Sequence, residues 1–258
     1  MTALAPGGVA GPIRSGRSRI DRRLVGVPVI IVVGLALVLG YLSTQTLDSV
    51  EQRALAPDVV LDRLREHLFL MAVSTVLVIV LAIPLGILLS RPALRRVRPG
   101  LLAFGGFMQA LPPFGVIILL AFTPLGFGQP TAILALVIAS FLPVLTNTVV
   151  GLGQVDRSLV EAARGIGMSA RQTLLQVELP LAVPVMLAGV RVALVLNVGT
   201  ATLATFIGAG GLGNIIDGML RLGRPNGTLL AAALVAALAL LVDWLGGLAE
   251  YAVARRGS

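Results

Sequence analysis

The chain has 258 residues, of which 57% are hydrophobic and only 12% charged, and its mean hydropathy is +0.97. A soluble domain of this length is closer to half apolar and a quarter charged, so the composition predicts a protein whose solvent is the lipid bilayer. The absence of cysteine excludes disulfides and thiolate metal sites, and the single histidine leaves little for a histidine-based active site. We therefore expect no catalytic residue and no metal site in this chain.

Six segments are long and apolar enough to cross a bilayer as helices, which takes about 20 residues each. They are residues 24–42, 68–89, 101–122, 131–150, 181–207 and 229–249. These segments predict an all-α membrane protein with about six transmembrane helices. The first could instead belong to a signal peptide, because Ala54-Leu55-Ala56 resembles a cleavage site. Its apolar run is longer than a signal peptide's, and Ala56 lies far beyond it, which favours a retained helix.

The basic residues are 20 arginines and no lysine. Fourteen of them fall before the first span, after the second, after the fourth or after the sixth: Arg14, Arg17, Arg19, Arg22, Arg23, Arg91, Arg95, Arg96, Arg98, Arg157, Arg164, Arg171, Arg255 and Arg256. Five lie on the other side, namely Arg53, Arg63, Arg65, Arg221 and Arg224. Since arginine-rich loops stay in the cytoplasm, both termini are predicted to be cytoplasmic. The same distribution explains the high pI without a nucleic-acid partner.

Residues 151–180 form the longest predicted cytoplasmic connection. Asp156 can cap a short helix that runs to about Arg164, and Gly165 and Gly167 then break it. Ser169 and Gln172 have the spacing of a capping box, which opens a second helix that we expect Pro180 to end. The pattern predicts two short amphipathic helices joined by a glycine turn, and on its own it fits a docking element for a partner or a plain surface loop equally well.

Within this loop, Glu161-Ala162-Ala163 is followed by Gly167 after three residues and by Val177-Glu178-Leu179-Pro180 after nine more. This spacing resembles the EAA loop of ABC importer permeases, with Val177 in place of isoleucine as the one departure. In that family the loop inserts into a groove of a cytoplasmic ATPase. The resemblance implies that the ATPase contact lies among Glu161, Ala162, Ala163, Gly165, Gly167, Leu179 and Pro180.

Further segments resemble the osmoprotectant branch of these permeases, whose members carry glycine betaine, choline or carnitine. They are Gln109-Ala110-Leu111-Pro112, Leu142-Pro143-Val144-Leu145 with Asn147-Thr148, Gly165-Ile166-Gly167-Met168, and Ala201-Thr202-Leu203-Ala204 with Phe206-Ile207-Gly208. The resemblance implies a five-helix core of the type I importers within residues 67–258. Residues 24–66 would add one span and an external loop, and residues 1–23 an arginine-rich cytoplasmic end. Permeases for other small polar solutes share similar segments, so that alternative stays open.

The resemblance also implies the partners. They are a cytoplasmic ATP-binding subunit that carries ATP and magnesium, a second permease copy or paralogue, an extracytoplasmic solute-binding protein and the lipid bilayer. No cofactor is expected in this chain itself, since a nucleotide-binding P-loop needs a lysine. Two other classes are less consistent with the sequence. An enzyme would need convergent catalytic groups, and an ion-driven carrier or channel would need inverted repeats or several intramembrane carboxylates.

Residues 208–213 match the glycine pattern of dinucleotide-binding loops, but they follow a membrane helix and face outward, so a flexible outer turn near a gate is the better interpretation. The candidate pathway or gate residues are Gln109, Pro112, Asn197, Thr200, Gly208, Gly210 and Gly211. In span five, Asn197, Thr200, Ala204 and Gly208 form a small, weakly polar stripe that suits either a pathway or close helix packing. The prolines within spans, Pro84, Pro112, Pro113 and Pro143, likewise fit a pathway or packing alone.

Arg191 lies inside span five, where a charge at the bilayer centre costs at least about 2.5–3.5 kcal/mol. Asp243 in span six is its candidate partner. The pair is either a latch on the pathway or a structural ion pair, and a snorkelling arginine is a third possibility. His67, next to Glu66 at the outer start of span two, is predicted to be an interfacial residue.

Overall fold

The computed structural model describes residues 17–255, and every regular element in that range is a helix. Eleven α-helices follow one another along the chain: α1 Arg17–Ser43, α2 Ser49–Ala54, α3 Pro57–Leu89, α4 Arg98–Ala110, α5 Pro113–Ala121, α6 Gln129–Gly153, α7 Arg157–Gly165, α8 Ala170–Thr173, α9 Leu179–Ala201, α10 Gly213–Arg221 and α11 Pro225–Ala254. Short 3-10 helices occupy Pro92–Leu94 and Thr202–Ile207, and one π-helical turn occupies Leu174–Glu178. Arg14 and Arg256 lie outside the described residues, as do the side chains of Arg17, Arg19, Arg22 and Arg23.

Prolines begin many of these helices. Pro57, Pro113 and Pro225 are the first residues of α3, α5 and α11. The first turn tolerates proline because its N–H groups have no partner inside the helix. By contrast, Pro84 and Pro143 lie inside α3 and α6, which run on past them as single elements.

Five helical stretches are long and apolar enough to cross a membrane by themselves: Val25–Ser43, Pro57–Leu89, Gln129–Gly153, Ala170–Ile207 and Pro225–Val253. The predicted third span at 101–122 is a broken helix, and counting it as one span brings the number of spans to six. That segment is α4 and α5, which meet at an angle of 89°. Leu111 and Pro112 adopt extended backbone angles there, because a residue that precedes proline is pushed out of the helical region.

The directions of the helices follow from contacts near their ends. Gly86, near the end of α3, touches Thr148, near the end of α6: a Cβ built on Gly86 would lie 2.7 Å from the Thr148 side chain. Because the ends of both helices meet, α3 and α6 run parallel. The chain must therefore cross the bundle between them, and the bent pair α4–α5 carries it across. His67, in the first half of α3, contacts Val198 late in α9, and Ile87 near the end of α3 packs in one cluster with Leu179 at the start of α9, so α9 runs antiparallel to α3. The arginine-rich loops that follow α3 and α6 consequently lie at the same end of the bundle.

The centre of the bundle is α3, α6 and α9, which pack against one another along their lengths. Val78, Val144 and Ala193, one from each helix, lie in one buried cluster. Glycines allow the closest approaches: a Cβ on Gly151 would lie 3.0 Å from the Ala182 carbonyl oxygen, and one on Gly189 would lie 2.7 Å from the Pro143 carbonyl oxygen. Packing through small residues is the usual way membrane helices associate, because lipid provides no hydrophobic driving force between them.

Further helices are added around this centre. Helix α11 packs on α9, and α1 packs on α11 with its apolar side chains largely uncovered, Val25 being 65% exposed and Leu37 69% exposed. Helices α2 and α10 close the end opposite the arginine-rich loops, where Val50, Leu55 and Leu64 pack on the buried residues Leu212, Ile215 and Met219. The exposed apolar surface of α1 suits contact with lipid.

Candidate functional site

The loop between α6 and α9 begins with α7, and Asp156 caps that helix as predicted. Its Oδ1 accepts a hydrogen bond from the Ser158 backbone N–H at 2.9 Å. This bond to the charged form lowers the pKa of the Asp156 carboxyl below its usual range. The nine residues of α7 are held to the rest of the protein mainly through Ala163, which is only 5% exposed.

The exposed face of α7 combines a charge, small residues and apolar groups. Ala162 and Gly165 are exposed, and the Glu161 side chain is 71% exposed and 3.5 Å from Arg157. Next to them Leu159 is 48% and Ile166 82% exposed. Exposed apolar side chains beside small residues on a short projecting helix are typical of a protein-docking surface. We expected Glu161, Ala162 and Ala163 all to contact a partner. The side chain of Ala163 faces inward instead.

Gly167 makes the turn between the two short helices. Its φ is +93°, in the region that a residue with a Cβ adopts only at a cost of about 1–2 kcal/mol. Its N–H donates to the Arg164 carbonyl at 3.0 Å, and the Met168 N–H donates to that of Ala163 at 3.1 Å. The surrounding space is open, so the constraint on this position is conformational, with no neighbour that excludes a side chain.

The second short helix begins as predicted but does not end at Pro180. Ser169 and Gln172 form the capping box, with the Ser169 N–H donating to Gln172 Oε1 at 2.8 Å. The chain then passes through the π turn Leu174–Glu178 directly into α9. Pro180 stands in the first turn of α9, where proline is tolerated, and the Leu179 N–H closes the preceding π turn by donating to the Leu174 carbonyl. Leu179 is partly buried and Pro180 exposed. We call residues 157–180, from α7 to the start of α9, the docking segment, and it is continuous with a membrane helix.

The candidate gate loop, residues 208–213, lies at the opposite end of the bundle. Gly208, Gly210 and Gly211 all have positive φ, at +70°, +91° and +93°. The Gly211 N–H donates to Glu66 Oε2 at 2.8 Å, and Glu66 also pairs with Arg63. The loop therefore rests on the first turns of α3, and a Cβ at Gly210 would collide with the Glu66 carboxylate.

The prediction that His67 is interfacial was wrong. Its side chain is fully buried, and its Nε2 lies 3.1 Å from the Val198 carbonyl oxygen on α9, a distance at which Nε2–H donates. Its Nδ1 faces Gly211 and has no hydrogen-bond partner within residues 17–255. The helix begins at Pro57, well before the predicted start at residue 68, and so carries His67 inside the fold.

The candidate pathway residues do not form one surface in the part of the chain that the structure describes. Gln109 is in the last turn of α4, and Pro112 lies in the break before α5. Asn197 and Thr200 are buried in α9, where Asn197 Nδ2 donates to Thr75 Oγ1 at 3.0 Å, a contact that holds α9 against α3. Gly208 is exposed in the gate loop. The assignment of these residues to a pathway stays a prediction.

Arg191 in α9 pairs with two acids of α11. Its Nε and Nη2 each donate to Asp243 at 2.7 Å, and its Nη1 lies 3.3 Å from Glu250 Oε2. Gly246 and Gly247 make room for its side chain, since a Cβ on Gly246 would lie 2.8 Å from Arg191 Cγ. The sequence reasoning missed Glu250, although seven residues after Asp243 it falls on the same helix face.

Replacing Arg191 with leucine should destabilise the protein more than the double change Arg191→Leu with Asp243→Leu. The single change leaves Asp243 with its main cation removed, whereas the double change removes both charges. In a double-mutant cycle on melting in detergent, we expect a coupling of about 0.5–3 kcal/mol. Strictly additive losses would mean that the two residues do not stabilise one another.

Comparison with known proteins decides the family. Residues 82–255 match the family described as "Binding-protein-dependent transport system inner membrane component". The chain belongs to this family of inner-membrane transport components. It is a multi-pass membrane protein and the permease component of an ABC importer.

Two relatives resemble it over most of their length. The chain is 40% identical over 224 residues to the "Osmoprotectant import permease protein OsmY" of Salmonella typhimurium, covering 87% of this chain and 92% of that protein. It is 38% identical to the "Glycine betaine/carnitine/choline transport system permease protein OpuCB" of Bacillus subtilis, covering 74% and 87% respectively.

Solved structures agree on the fold. The MetNI methionine ABC transporter in an inward-facing conformation superposes with a TM-score of 0.68 at 23% identity, over 75% of this chain and 95% of that one. An amino acid ABC transporter solved with histidines superposes with a TM-score of 0.66 at 17% identity, over 80% and 99%. The predicted type I importer fold is therefore confirmed.

Proposed function

We propose that the permease conducts quaternary-ammonium osmoprotectants such as glycine betaine, choline or carnitine into the cell, driven by ATP hydrolysis on a separate subunit. The supporting observation is the segment from α7 to the start of α9. It presents Glu161 and Ala162 on the exposed helix α7 and Ile166 just after it, turns at a Gly167 of positive φ and then leads into α9. A partner that moves this segment would move a membrane helix directly.

The proposed mechanism is alternating access. Two permease chains, either two copies or a copy and a paralogue, would form the pathway, and each docking segment would sit on an ATP-binding subunit that holds ATP and magnesium. A solute-binding protein would deliver the solute at the outer face, where the 208–213 loop lies. This chain supplies the membrane helices that move and the surface that binds the partner, and ATP hydrolysis takes place on the ATP-binding subunit.

The substrate class is supported by the names of the relatives, several of which are permeases for glycine betaine, carnitine or choline. Uptake of radiolabelled choline, glycine betaine and carnitine into cells that lack other osmoprotectant importers, with and without this permease and its partners, tests it. The expected result is that the permease increases uptake of these solutes and that each of them competes with the others for uptake. Uptake of an unrelated small polar solute alone would favour the alternative, a type I permease of different specificity.

We propose that both termini are cytoplasmic. The arginine-rich loops after α3 and α6 share one end of the bundle, and the last span returns the chain to that end. Because arginine-rich loops are retained in the cytoplasm, a cytoplasmic reporter fused after Ser258 should be active and a periplasmic one inactive. A periplasmic reporter that is active at this position would invert the topology.

A further inference from the structure

An ion pair between residues that are distant in sequence joins the end of helix α3 to the docking segment. Arg91, just after the end of α3, donates from Nη2 to Glu178 Oε2 at 2.7 Å and from Nη1 to Oε1 at 3.2 Å. Glu178 ends the π turn before α9 and is only 6% exposed. A two-pronged guanidinium–carboxylate pair fixes orientation as well as distance, so it holds the π turn in one position relative to α3.

Apolar contacts surround this ion pair. Leu174 and Leu179, at either edge of the π turn, pack in the same cluster as Ile83 and Ile87 of α3. The buried Leu152 of α6 completes the cluster. The π turn is therefore seated against the ends of α3 and α6, whereas α7 projects from it beyond the Gly167 turn. A force on α7 can therefore reach the seated π turn through the Gly167 turn and α8.

The other end of α3 holds the 208–213 loop. Glu66 accepts the Gly211 N–H at 2.8 Å, and the buried His67 lies against the Val198 carbonyl and beside Gly211. From Glu66 to its last residue, Leu89, helix α3 covers roughly 35 Å at about 1.5 Å per residue. One continuous helix thus contacts the docking segment at one end and the outer loop at the other.

We propose that α3 links the docking segment to the outer 208–213 loop, with the Arg91–Glu178 ion pair as the contact that positions it. The inference rests on the proposed ATP-driven function. Displacement of α7 by the ATPase subunit moves the π turn, the ion pair makes α3 follow, and Glu66 and His67 pass the movement to the loop. Arg91 and Glu178 are positioning residues, since neither is among the candidate pathway residues or on the exposed face of α7.

The experiment uses the fact that the chain has no cysteine. A single reporter, Phe206→Cys, is placed two residues before the loop at a side chain that is 40% exposed. Maleimide labelling of the assembled transporter is measured without nucleotide and after trapping with ATP and vanadate. The reporter is combined with Arg91→Glu, Glu178→Arg, the reversed pair Arg91→Glu with Glu178→Arg, and Glu178→Gln, which keeps the shape of the side chain.

The matched control is the reversed pair Asp62→Arg with Arg65→Asp. It exchanges another ion pair attached to α3, whose side chains are 69% and 68% exposed and contact neither the π turn nor the loop. Trapping is expected to change the labelling rate about fivefold or more in the parent, in this control and in the reversed Arg91–Glu178 pair. The response should be absent in both charge-reversed single variants and reduced in Glu178→Gln, with the ATPase subunit still bound in each.

Three outcomes would overturn the link. A full response in both single variants with ATPase bound contradicts it while leaving the proposed function intact. If the response stays absent in the reversed pair but is retained in Glu178→Gln, the ion pair is not the contact that positions α3. No response to trapping in the parent contradicts the ATP-driven function itself, and the link with it.

Discussion

Gly167→Val is expected to abolish solute uptake while leaving the amount of permease in the membrane close to normal. Gly167 has a φ of +93°, where a Cβ costs about 1–2 kcal/mol, and valine adds a stiff β-branched side chain. The turn lies outside the membrane spans and has open space around it, so the strain changes the direction of α7 rather than the packing of the bundle. Two quantities are measured: the rate of solute uptake, and the amount of ATPase subunit that is recovered with tagged permease.

Two matched variants make the result specific. Gly167→Asn should retain part of the uptake, because asparagine tolerates the left-handed region better than other residues with a Cβ. Gly153→Ala, at the end of α6 with open space around it and no positive φ, should behave like the parent. Equal loss in Gly167→Val and Gly153→Ala would show general sensitivity of this end of the bundle.

Glu161→Lys tests the docking face itself. The carboxylate is 71% exposed and close to Arg157, so a lysine there reverses the charge offered to a partner and also repels Arg157. Both uptake and the recovered ATPase subunit should fall. Normal uptake in Glu161→Lys and Gly167→Val together would refute the docking assignment, and lost uptake with undiminished ATPase recovery would place the defect in the transmission of movement.

Gly189→Ala is expected to destabilise the whole bundle. A Cβ at Gly189 would lie 2.7 Å from the Pro143 carbonyl oxygen and 2.7 Å from Asn147 Cβ, both on α6. Backbone cannot yield as the tip of a side chain does, so α6 and α9 must separate, at a cost of about 1–3 kcal/mol. Melting in detergent should move down by several degrees.

Gly199→Ala is the matched control for this change. It lies ten residues later in the same helix, and nothing stands within 4 Å of a Cβ built there. Alanine is the better helix former by about 0.5–1 kcal/mol, so this variant should melt at or above the parent temperature. Equal losses at Gly189 and Gly199 would mean that the close approach of α6 and α9 does not limit stability.

The features that the sequence predicted correctly depend on neighbouring residues. Asp156, the Ser169–Gln172 capping box and the turn at Gly167 each follow from groups within a few residues of one another, and the structure has them all. The apolar spans were predictable for the same reason, because length and composition alone decide whether a helix crosses a membrane.

The features that were mispredicted depend on distant parts of the chain. Pro180 marks a helix end by local rules, yet the π turn before it is seated on α3 and α6 and leads directly into α9. His67 has a polar neighbourhood in sequence, and its burial comes from α9 and the 208–213 loop. The inward side of Ala163 and the second acid near Arg191, Glu250, likewise become visible only when the helices are packed together.

The most direct test of the central claim is transport by the purified permease, reconstituted in proteoliposomes with its ATP-binding subunit and solute-binding protein. Accumulation of radiolabelled glycine betaine, choline or carnitine is followed with ATP and magnesium on the ATPase side. The account predicts accumulation against a gradient that requires ATP, persists when ionophores collapse ion gradients, and disappears in Gly167→Val. Accumulation that ionophores abolish and ATP does not support would contradict it.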